Sequence, residues 1–65
     1  MAADTDLPPE LIQLETRAWQ EIQAGALTTE TAYAVQTAIT EYARASGQNR
    51  YEVEQALKRR VRHQA

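Results

Sequence analysis

The sequence has no cysteine, one histidine (His63), two glycines and two prolines. Without cysteine there is no disulfide and no thiolate metal site. A single histidine excludes a histidine-rich metal centre. The usual staples of a very small domain are therefore missing, and helix packing or a second copy of the chain must stand in for them. No run approaches the roughly 18–20 apolar residues that a membrane span needs, so no membrane partner is expected. The segment Met1 to Asp6 is acidic and lacks a basic stretch followed by an apolar one, so no secretory signal is expected. These absences, with the missing cysteines, fit a cytoplasmic protein.

Catalytic groupings are also lacking. The carboxylates are spread along the chain as on an ordinary helical surface. Thr28 and Thr29 stand where helix caps stand, and Ser46 where a turn is expected. A chain of 65 residues has room for one domain and little room for a ligand pocket of a few hundred cubic ångströms. The expectation is a non-enzyme with no cofactor, no metal and no catalytic residue. A domain of this length buries only about 60% of its unfolded surface, so marginal stability is expected.

What is present is helical. Asp6, with Thr5 as a competitor, is placed to cap a first helix. Pro8 and Pro9 suit its first turn, and Gly25 suits a left-handed stop after Ala24. Thr28 caps a second helix over Thr29 to Ala45, with Glu30 near its positive end and Gly47 as the stop. Asn49 and Glu52 form a capping box that opens a third helix from Arg50 to about Arg62. No stretch alternates like a strand. The fold class is all-α, a small three-helix bundle with short loops. Residues 6–63 form the single domain, and residues 1–5 form a disordered tail.

The 3.6-residue period assigns the core. Leu7, Leu11, Leu14, Ala18 and Ile22 share a stripe on the first helix. Thr31, Val35, Ala38, Ile39 and Tyr42, with Ala32 and Ala45, share one on the second. Val53, Ala56, Leu57 and Val61 form a narrower stripe on the third, and Leu27 staples the first connection. The many alanines permit close approach but supply little apolar area.

Several residues fall outside these stripes. Ile12 and Trp19 lie together beside the main stripe, with Glu15 between. They widen the core face, or they dock a partner: tryptophan is enriched at binding hot spots. Tyr33, Thr37, Thr40 and Arg44 form a polar row on the second helix. On the third, Tyr51, Gln55, Lys58 and Arg62 line up with Arg59 alongside. Bases with an aromatic and an amide on one face are the residue types that grip phosphates and read base edges.

Charge is unevenly placed. Residues 1–43 carry seven acids against Arg17, and residues 44–65 carry six bases against Glu52 and Glu54. Such a chain suits pairing between helices or between copies.

The segment Glu41 to Leu57 resembles a helix-turn-helix. Ala43, Gly47 and Val53 fall at the alanine, turn-glycine and buried-aliphatic spacings of that motif, while Gln48 and Ala56 depart from it. The resemblance implies Arg50, Tyr51, Glu54, Gln55 and Lys58 as groove-facing positions in the segment 41–62.

Two functions follow. One is a non-catalytic protein-interaction module, self-associating or bound to a foreign protein, with Ile12 and Trp19 as apolar anchors. The other is a small DNA-binding regulator whose nucleic-acid face is Arg50, Tyr51, Gln55, Lys58, Arg59 and Arg62. The net charge of -2 weighs against the second.

Overall fold

Proline decides where the first helix begins. In the computed structural model, which describes residues 7–62, helix α1 runs Pro9–Gln23 and Pro8 is its cap in extended conformation (φ -62, ψ 145). The ring of Pro9 clashes with a helical residue before it, so Pro8 is driven out of the α region. Only Pro9 enters the first turn, a correction to the expectation for both prolines. The expected Asp6 cap, the tail at 1–5 and His63 lie outside the described residues.

α1 ends as expected. Gly25 takes φ +72, its N–H donates to the Ile22 carbonyl at 2.9 Å, and the Ala26 N–H donates to Glu21 at 2.7 Å. This 6→1 and 5→2 pair satisfies carbonyls that the helix leaves open. Helix α2 spans Thr29–Ser46, capped by the Thr28 hydroxyl, which accepts from the Thr31 N–H at 3.1 Å. Gly47 closes it with φ +75. Helix α3 spans Arg50–Arg62. The Asn49 carboxamide accepts from the N–H groups of Tyr51 (2.8 Å) and Glu52 (3.3 Å), so the Asn49 half of the capping box forms.

Each helix packs against both others, giving an all-α three-helix bundle. One core cluster joins Leu7, Leu11 and Ala18 to Val35, Ile39 and Ala43 and to Val53, Ala56 and Leu57. Leu57 is wholly enclosed at 0% exposure. Val61 is also buried, so all four expected core residues of α3 lie inside. Three of the nine cluster members are alanines, which keeps the helices close and the buried apolar area small. Among the described residues no helix is long and apolar enough to cross a membrane.

Three core assignments fail, all near helix ends. Ala45, Ile22 and Leu27 are exposed. Ile22 and Leu27 flank the α1–α2 turn, while Ala45 lies off the row Thr31, Val35, Ile39 and Ala43 that α2 buries. Glu15 departs in the other direction. Its place on the helix wheel is inside the α1 stripe, four residues after Leu11 and three before Ala18, and it is buried at 3% exposure.

Candidate interaction site

The burial of Glu15 sets the geometry of the α1–α3 face. A buried carboxylate needs a partner, and the last residue of α3 supplies it. Arg62 Nε donates to Glu15 Oε2 at 2.8 Å across the two helices. The same guanidinium carbon lies 4.8 Å from the centre of the Trp19 ring, within cation–π range. Four residues separate Glu15 from Trp19, so one α1 face presents both to the arginine.

Beside this clasp runs an open groove of about 550 Å³. Its α1 wall is the row Ile12, Thr16, Trp19 and Gln23, with Gln20 at the edge; its α3 wall is Arg60, Val61 and Arg62. Ile12 and Trp19 are half-buried, and Ile12 also packs on the core cluster. The Thr16 hydroxyl donates back to the Ile12 carbonyl at 2.7 Å. The two expected anchors therefore stand in one groove, as both core edge and exposed surface. Among the described residues no carboxylate lines this groove. A second groove of about 430 Å³, between α1 and α2, has a different lining: Glu10 and Glu41 stand beside Pro8, Leu14 and Tyr42, and among the described residues no cation lines it.

The third helix divides its charges between two neighbours. Arg50 Nε donates to the Thr40 hydroxyl at 3.0 Å, its Nη2 donates to Gln36 Oε1, and its Nη1 pairs with Glu54 at 3.4 Å. Lys58 approaches the other oxygen of Glu54 at 3.8 Å. Arg62 turns to α1. Tyr51 is 67% exposed, Arg59 is exposed, and Gln55 is half-buried. The six residues of the candidate nucleic-acid face thus share a helix, but Arg50, Lys58 and Arg62 each hold a side-chain partner within the bundle. The α2 before the turn is 18 residues long, far longer than the first helix of a helix-turn-helix. On α2, the expected row of Tyr33, Thr37, Thr40 and Arg44 lines a shallow hollow.

Glu21 has a role that sequence reasoning missed. Its carboxylate accepts from the Thr28 N–H at 3.1 Å, the Thr31 hydroxyl at 3.0 Å and Arg17 Nε at 3.2 Å. It thereby ties the end of α1 to the start of α2. The backbone hydrogen bond from Thr28 is the main cause that holds its pKa below the ordinary value of 4.5, with the Thr31 hydroxyl and Arg17 adding to it against a smaller opposing effect of desolvation. The signal in sequence was an acid seven residues before a threonine cap.

Among the described residues no three His, Asp or Glu side chains gather as a metal site would require. No protein-family model, curated protein or solved structure matches this chain.

Proposed function

We propose that this domain is a non-catalytic protein-interaction module that docks its partner in the α1–α3 groove, with Ile12 and Trp19 as apolar anchors. The observation that carries the reading is the groove itself. It holds the chain's single tryptophan half-buried on its wall, with the Arg62 guanidinium over the ring. A large aromatic already ordered by its neighbours loses little entropy on binding, which is the property of a hot-spot residue. The partner is a foreign protein or a second copy, which the cationic and acidic grooves on different sides of α1 would suit.

Sedimentation velocity over a concentration series separates the two. Concentration-dependent assembly that Trp19→Ala abolishes supports the second copy. A strict monomer removes that version and leaves a foreign partner. A purified partner should then lose at least about tenfold in affinity to Trp19→Ala. Equal binding by wild type and Trp19→Ala, with both folded by circular dichroism, refutes the groove as the site. The alternative is a DNA-binding α3, on which Tyr51 and Arg59 are exposed and Gln55 is half-buried. It requires binding of mixed-sequence duplex at low salt, where the phosphate contribution is greatest.

A further inference from the structure

Helix α2 has a face that neither neighbour covers. It buries the row Thr31, Val35, Ile39 and Ala43 against the core. At 100° per residue, Glu30, Tyr33, Thr37, Glu41 and Arg44 fall within an arc of about 80° on the opposite side. Glu30, Glu41 and Arg44 are exposed. Tyr33, at 72%, is the most exposed large hydrophobic side chain among the described residues. Among those residues, none of these four side chains has a hydrogen-bond or ion-pair partner.

The spacing of this face is symmetric. Glu30 and Arg44 each stand seven residues from Thr37, and Tyr33 and Glu41 each stand four residues from it. Opposite charges at equal distances from a small central residue are complementary to the same face turned end for end. A second copy laid antiparallel on α2, with the two-fold axis at Thr37, sets Thr37 against Thr37. It also sets Glu30 level with Arg44 and Tyr33 level with Glu41, each pair twice. The two Glu30–Arg44 pairs lie about 21 Å apart along the helix, so they fix direction and register. A parallel pair would set Glu30 against Glu30 and Arg44 against Arg44. Shape agrees with charge. Tyr33, Thr37, Thr40, Glu41 and Arg44 line a hollow of about 280 Å³ on this face. The antiparallel placement puts the second copy's Tyr33 in that hollow, its ring beside the Arg44 guanidinium and its hydroxyl toward Glu41.

We infer that the outer face of α2 is a self-association surface, through which two copies of the chain pair antiparallel on Glu30, Tyr33, Thr37, Glu41 and Arg44. This goes beyond the α1–α3 groove and does not rest on it. No residue lining that groove belongs to this face, so the dimer presents the groove twice. A partner carrying two docking segments would then be held more tightly than either segment alone.

One helix pair is small against a standard interface of about 1,600 Å², so the dimer should be weak, with a Kd of about 0.1–1 mM. Sedimentation equilibrium at low salt, up to about 2 mM protein, reads it. Added salt should weaken the assembly. Tyr33→Ala should weaken it at least about tenfold. Glu30→Arg and Arg44→Glu each set like charges opposite one another, so each alone should be monomeric. Mixed in equal amounts, the two variants should assemble, because each supplies the charge the other lacks. Both substitutions oppose the helix dipole, so circular dichroism checks that each variant is folded. A folding defect would not be repaired by mixing.

A wild-type chain that stays monomeric at about 2 mM overturns the inference. So do single variants that assemble like wild type, or a mixture that stays monomeric while wild type assembles. Assembly that Trp19→Ala abolishes and Tyr33→Ala leaves intact also overturns it, and puts the second copy in the α1–α3 groove instead. These failures are separable from failure of the groove: a monomer that still docks a partner through Trp19 leaves the interaction module standing and removes only the α2 pairing.

Discussion

Replacing Arg62 by alanine takes away the guanidinium that Glu15 depends on, while Glu15 itself stays enclosed with 4% of its side chain exposed. Breaking a fully buried ion pair from one side costs about 3–5 kcal/mol. Arg62 is 29% exposed, so water can follow into the space it leaves, and the cost falls to about 1–3 kcal/mol. Loss of the stack on Trp19 adds roughly 0.5 kcal/mol. A chain of 65 residues has a total stability of about 3–10 kcal/mol, so this single change removes a large share. The melting temperature should drop by about 10–20 °C. Glu15→Met should behave differently. It fills the same space without a charge, and Arg62 can turn to solvent, so its effect should lie between neutral and about 1 kcal/mol of stabilisation. The double variant Glu15→Met/Arg62→Ala should recover most of what Arg62→Ala loses. Urea denaturation followed by far-ultraviolet circular dichroism measures all three. The reasoning is refuted if Arg62→Ala lies within about 0.5 kcal/mol of wild type, or if Glu15→Met is the more damaging of the two.

The Glu21 link predicts acid sensitivity. Its folded pKa lies below the ordinary 4.5, so its stabilisation is complete above that value and fades as pH falls through the folded pKa. Glu21→Gln should therefore melt below wild type at neutral pH, and the two curves should converge in acid; a gap that stays constant down to strongly acidic pH would contradict the link. Leu57 is wholly enclosed, so Leu57→Asp should leave no folded population at room temperature, whereas Leu57→Ala should cost about 2–5 kcal/mol. An unchanged melt for Leu57→Asp would show that the core lies elsewhere.

Much of the fold was legible because local chemistry and tertiary packing agree. Thr28, Gly47 and Asn49 punctuate the chain where hydrogen bonds and left-handed backbone require them; α2 ends within a residue of expectation and α3 begins at Arg50 as expected. The start of α1 was misplaced because the rule that proline suits a first turn was applied to two prolines in succession, where the second restrains the first. Ile22 was misplaced because periodicity fixes a face but not how far along a helix its neighbours extend, and Ala45 because α2 buries the row Thr31, Val35, Ile39 and Ala43, which leaves position 45 to one side. The candidate site was half visible. Ile12 and Trp19 were found by their offset from the stripe, but Arg62 was read as part of an outer basic face. A lone acid inside an apolar stripe was the available signal, since a buried carboxylate demands a cation, and only the fold decides which arginine reaches it.

That demand also bears on the proposed groove. In an alanine-rich core an aliphatic residue at position 15 would serve folding as well or better, because a buried ion pair recovers little more than its desolvation cost. What the carboxylate does is fix a direction. A surface arginine at the end of a helix would normally sample many rotamers; Glu15 holds Nε at 2.8 Å and leaves the guanidinium over the Trp19 ring. The groove thereby has an aromatic wall and a cation whose relative position is set before any partner arrives. On the proposed reading, a partner entering the groove orders fewer side chains than it would on a loose surface, and more of the contact energy appears as affinity. Lysine could not replace Arg62 in this arrangement, because a tetrahedral ammonium cannot both donate in plane to the carboxylate and lie flat on the ring.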